Sequence, residues 1–130
     1  MTNDPKAAPL LTVRELTKTF HLPGGETMTA VDHVSIDLRR GETLGIVGES
    51  GSGKSTLARL ILRLHEATSG SVNFDGTDVL AADARAMRAL RARMQIVFQD
   101  PYSSLLPHYS AVDNVAEPLR LHGRGSRKER

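Results

Sequence analysis

Nine consecutive residues, Gly48-Glu49-Ser50-Gly51-Ser52-Gly53-Lys54-Ser55-Thr56, combine three glycines, four hydroxyls and one ammonium group. Glycine lets a backbone curl tightly enough for successive N–H groups to point at one centre, and a ring of inward N–H groups suits an anion. The spacing fits G-x-x-x-x-G-K-[S/T]. In that pattern the lysine brings a full positive charge to the β- and γ-phosphates of a nucleotide, and the hydroxyl after it, here on Ser55, is offered to Mg²⁺. A helix starting at about Lys54 would aim the positive end of its dipole at the same place. The run is therefore read as a nucleotide-phosphate site.

The flanks supply what such a loop needs. Leu44-Gly45-Ile46-Val47 is continuously apolar and predicts a short strand buried on both faces, while Lys54 to Leu64 predicts a helix. Before them, Leu11 to Thr17 is strand-like, Pro23-Gly24-Gly25 marks a loop, and Val34 to Arg39 alternates apolar and polar residues as a half-exposed antiparallel strand does. The shift from alternating to continuous apolar residues places a peripheral antiparallel sheet beside a buried parallel one. Further on, Ser71 to Phe74 predicts a strand closed by Asp75-Gly76, Asp83 to Met94 a helix, and Gln95-Ile96-Val97-Phe98 a second buried strand stopped at Pro101. Ser110-Ala111-Val112-Asp113 has the form of a capping box opening a helix toward Leu121, with Pro118 expected to kink it or end it early.

Composition narrows the remaining classes. The 130 residues contain no cysteine, which excludes disulfides and thiolate metal sites, and the net charge is only +2. The excess arginines gather at Arg85, Arg88, Arg91 and Arg93 and in the tail beyond Arg124, with no aromatic residue among the first group, so they read as a solvated face and not as a nucleic-acid surface. The histidines His21, His33, His65, His108 and His122 have no metal-ligand spacing. Glu49 and Asp100 do not make a catalytic pair: a carboxylate inside the phosphate loop should turn away from the polyphosphate, and Asp100 suits the end of a strand. No signal peptide or membrane-spanning run is expected.

Together, Ala30-Val31-Asp32, Gly41-Glu42-Thr43, the phosphate loop, Thr68-Ser69-Gly70-Ser71-Val72 and Gln95 to Tyr102 occur in the order that resembles the ATP-binding-cassette (ABC) nucleotide-binding domains. The phrases Gly48 to Gly53 and Ile96-Val97-Phe98-Gln99-Asp100-Pro101-Tyr102 look like the oligopeptide, dipeptide and nickel importer branch. The resemblance implies an α/β fold, a P-loop NTPase (RecA-like) core with an antiparallel β subdomain, present here as an incomplete domain. It implies the cassette over 11–123, from phosphate loop to the start of a helical subdomain, while polar composition marks a flexible lead-in over residues 1–10 and a frayed tail over 124–130. It also implies that Gln99 touches Mg²⁺ and the attacking water, that Phe20 stacks on adenine, and that Ser55 joins Gln99 at the metal. The cofactors are then ATP and Mg²⁺. The expected partners are membrane permease subunits and a second ATP-binding subunit, identical or related, at the cytoplasmic face of the inner membrane.

One position departs from the branch: Leu106 stands where an asparagine is usual, which puts the local geometry of that segment in doubt. The family also needs an L-S-G-G-Q signature, an apolar strand ending in Asp-Glu and a switch histidine, and none of these follows the phosphate loop in the 130 residues. Those parts bring the general base and the trans-acting contact of phosphoryl transfer. The expectation is a chain that binds MgATP but does not turn it over alone, and that is poorly stable in isolation because an apolar edge around Leu44 to Val47 lies open to aggregation. The alternatives are a non-catalytic remnant that binds nucleotide weakly or only docks on a permease, and a different phosphate-loop enzyme such as a small kinase or GTPase. The transported substrate lies beyond these residues.

Overall fold

A computed structural model describes residues 8–100 and 105–126. The expected lead-in and tail lie partly outside the described residues, as do Pro101, Tyr102 and Ser104. The chain divides into two compact units, residues 1–83 and 84–130.

The first unit is built on a four-stranded antiparallel sheet in the order β2-β1-β3-β4. Its central strand β1 (Leu11–His21) pairs on one side with β2 (Thr27–Leu38), Leu11 opposite Leu38 and Val13 opposite Ile36. On the other side it pairs with β3 (Ser69–Phe74), Val13 opposite Val72. A two-residue turn, Asp75-Gly76, with φ of 51° and 81°, folds β3 onto the short β4 (Thr77–Asp78). Two successive positive φ angles match the right-handed twist of a tight hairpin, and glycine accepts the second without strain. Helix α1 (Lys54–Ile61) turns Leu57 and Leu60 inward, and they join Leu11, Val13, Leu16, Val31, Val72 and Val79 as the buried apolar residues of this unit.

Both long strands extend further than their alternation predicts, β1 to His21 and β2 back to Thr27. The reason is a pair of irregularities. Glu15 (φ 48°) and His33 (φ 47°) are left-handed, and the β1–β2 register shifts around Leu16 and Lys18, so that Leu16 and Thr17 are buried side by side. Such bulges break the two-residue period that marks a strand in sequence. Hydroxyls hold them: Thr17 Oγ1 accepts from the His33 N–H at 3.1 Å, and Ser35 Oγ accepts from the Glu15 N–H at 3.0 Å.

The second unit contains α2 (Ala84–Arg91), which buries Met87 and Leu90, and α3 (Ala111–Leu121). Ser110 caps α3, its Oγ accepting from the Asp113 N–H at 3.1 Å and donating to the Asp113 carboxylate at 2.5 Å. Pro118 sits inside α3, which runs on to Leu121 and does not end early. The segment at Leu106 is braced after all. Asn114 Oδ1 accepts from the Leu106 N–H at 2.8 Å and its Nδ2 donates to the Leu106 carbonyl at 3.2 Å, so the amide comes from eight residues along the chain.

Neither buried parallel strand is formed among the described residues. Residues 44–47 and 95–98 carry no ladder, and Val47 and Val97 are 97% and 94% exposed. A continuously apolar strand needs a neighbour on each edge and a cover on each face. The described residues offer neither to these two segments.

Candidate functional site

The phosphate loop occupies residues 48–53 and passes directly into α1, whose first residue is Lys54. Gly53 caps the helix in a left-handed conformation, φ 88°, and Gly51 also has positive φ, 82°. A β-carbon on Gly53 would stand 2.1 Å from the Ala30 carbonyl oxygen, and one on Gly48 would stand 2.7 Å from Ser52 Oγ. Close approach to a backbone oxygen requires the glycine at position 53, which lets the loop rest on β2, whereas at Gly48 the near atom is the end of a serine side chain.

Lys54 folds back over this ring. Its ammonium donates to the carbonyls of Gly48 at 2.8 Å and Glu49 at 2.5 Å and to Ser52 Oγ at 3.1 Å. An ammonium has three N–H bonds, so these contacts use all of them and fix the charge at the loop's centre. Among the described residues no side chain caps the start of α1, and its first turn holds no acidic residue. The first N–H groups of a helix have no intrahelical partner and carry the positive end of its dipole. A glycine packed against a backbone oxygen, a centred lysine and an uncapped helix start form a cradle suited to phosphate. Ser55, in the first helical turn, is exposed and offers the hydroxyl oxygen that a hard cation such as Mg²⁺ takes. A cleft of about 470 Å³ borders the loop, walled by Ala30, Val31, Ile46 and Val47 on its apolar side and by Gly48 and Lys54 on its polar side.

The other expected site residues are placed differently. Phe20 is half-buried near the end of β1, opposite Met28, and is not among the residues lining that cleft. Its ring meets the His65 ring edge-on, centroids 6.4 Å apart, and lies under the Lys18 ammonium. Gln99 belongs to the second unit, where it is exposed in a bend. Sequence reasoning missed Ala30, whose carbonyl forms the floor of the loop. It also missed Asn114, whose side-chain amide serves the segment that Leu106 was expected to leave unbraced. No sequence signal marks a backbone oxygen; the asparagine four residues into a capped helix was visible but ambiguous.

Comparison with known proteins agrees with this geometry. The family model for the ABC transporter domain matches residues 31–130. A Brucella ovis sequence carrying a provisional name as a peptide import ATP-binding protein is 48% identical over 122 residues, 94% of this chain and 38% of its own length. The Bacillus subtilis oligopeptide transport ATP-binding protein OppF is 47% identical over 114 residues, 87% of this chain and 37% of its own. Among solved structures, the dimeric bacterial ABC transporter cassette MJ0796 superposes with a TM-score of 0.78 at 32% identity, over 92% of this chain and 51% of that one. The same cassette has been solved bound to ADP and Pi. The chain spans little more than a third of the length of the curated relatives it matches. The family match over most of the chain and the superposition agree, and this chain, with the fold of a partial ABC cassette, belongs to the ABC transporter ATP-binding family.

Proposed function

We propose that this chain is the nucleotide-binding part of an energy-coupling subunit of an importer of the peptide and nickel class. The observation that carries the proposal is Lys54, its three donors gathered on Gly48, Glu49 and Ser52 at the uncapped start of α1. A phosphate entering this cradle takes over at least one of those donors and meets the N–H groups at the uncapped start of α1. Ser55 would hold Mg²⁺; the metal, when bound, neutralises phosphate charge. Phe20 would stack on the adenine. Names of relatives that are 47–48% identical support the peptide-import class. For the whole protein we propose ATP hydrolysis catalysed with parts beyond these motifs, pairing with a second ATP-binding subunit, and docking to permease subunits at the cytoplasmic face of the membrane. Among the described residues no helix is long and apolar enough to cross a membrane, which fits a peripheral subunit.

The test is a calorimetric titration of the chain with MgATP. Lys54→Ala should weaken binding more than tenfold, the scale of a lost set of charge-assisted hydrogen bonds, whereas Gln99→Ala should leave it within about threefold of wild type. Equal binding by all three proteins would remove the phosphate-loop assignment. No binding by the unaltered chain would favour the alternative, a piece that only docks on a permease.

A further inference from the structure

Lys18 and Phe20 are two residues apart on β1, and the contact between their side chains puts both on one face of the strand. The Lys18 ammonium sits 5.0 Å from the centroid of the Phe20 ring. The same ammonium donates to the Glu66 carbonyl at 2.7 Å, which ties it to the segment that follows α1. That segment also supplies His65, whose ring stands at 88° to that of Phe20. The aromatic side chain is thus held by two neighbours, one of them a cation itself fixed by a backbone oxygen. A cation over an aromatic face is attracted by the ring's negative face and excludes other groups from it. It also draws electron density toward itself, which leaves the opposite face better suited to an electron-rich heteroaromatic ring.

We propose that Lys18 is a positioning residue for base recognition: anchored on the Glu66 carbonyl, its ammonium covers one face of Phe20 and presents the other face to the purine of a nucleoside triphosphate. This rests on the stacking role of Phe20 proposed above. Lys18 acts through the ring and touches neither phosphate nor base. The site then distinguishes a nucleotide from a bare polyphosphate by an arrangement in which the phosphate loop has no share.

The test titrates the chain with MgATP and, separately, with magnesium tripolyphosphate. Lys18→Met keeps the length of the side chain without its charge and should weaken MgATP binding about two- to fivefold, the range expected of an exposed cation–π contact. Tripolyphosphate binding should not change, and Lys18→Arg, which keeps the cation, should bind MgATP as wild type does. In a Phe20→Ala background, Lys18→Met should have no further effect. An equal loss for both ligands would make Lys18 a phosphate contact and overturn the inference, as would a loss that persists without Phe20. If Phe20→Ala weakens MgATP but Lys18→Met does not, the stacking role stands and the positioning role falls. If Phe20→Ala binds MgATP as tightly as wild type, the stacking role itself fails and takes the inference with it.

Discussion

Gly53 and Ala30 approach so closely that a single β-carbon on the glycine would lie 2.1 Å from the alanine carbonyl oxygen. The phosphate loop is therefore seated on β2, and the antiparallel sheet is the mechanical support of the site. Gly53→Ala meets two penalties at once, a backbone clash and a left-handed φ of 88°. The left-handed conformation alone costs a non-glycine residue about 1–3 kcal/mol. We expect this variant to lose MgATP binding more than tenfold and to unfold at lower urea. Gly51→Ala is the comparison: its φ is 82° but nothing lies within 4 Å of the added carbon. It should show the strain alone and the smaller defect in both measurements.

Ser110→Ala should cost α3 about 1 kcal/mol, the usual value of a lost N-cap. Faster amide exchange along residues 111–121 would report it, and unchanged exchange would show that the cap is idle.

The Asp113 carboxyl on that cap is held below the usual aspartate range, first by the hydrogen bond from Ser110 and then by Arg120. Because its folded-state value is lowered, the stabilisation is present above the unfolded value of about 3.9 and is lost as pH falls through the lower, folded-state value. The protection factors of the α3 amides, which remove the pH dependence of intrinsic exchange, should fall on acidification from about pH 6 to about pH 3 in the wild type, and fall less in Ser110→Ala. An equal fall in both proteins would place the acid sensitivity elsewhere.

Val97 is 94% exposed whereas Leu60 is fully buried. Val97→Lys should change stability by no more than about 0.5 kcal/mol and reduce self-association in sedimentation experiments. Leu60→Ala should cost about 2–5 kcal/mol through the cavity it leaves. A Val97→Lys variant that associates as readily as the wild type would show that the exposed apolar segments are not what brings chains together.

The residues whose conformation is decided locally were legible in the sequence. The phosphate loop, the start of α1 at Lys54, the Ser110 cap and the Asp75-Gly76 turn each depend on a few neighbours, and the structure has them where the spacing predicts. β1 and β2 were read too short because the bulges at Glu15 and His33 interrupt the alternation on which strand reading depends. Leu44 to Val47 and Gln95 to Phe98 fail for the opposite reason: their composition is that of buried strands, but a strand is completed by other segments and not by its own residues. Phe20 shows a third limit. The sequence offers an aromatic side chain at a suggestive position, but only the fold shows that Lys18, His65 and Glu66 surround it.

All the strands of the antiparallel sheet lie between Leu11 and Asp78, and the buried apolar residues of that unit end at Val79. The sheet therefore has every partner it needs before α2 has been synthesised. Domains tend to fold from the N-terminus as the chain emerges from the ribosome, so the support for the phosphate loop is in place early, while Leu44 to Val47 still stand uncovered.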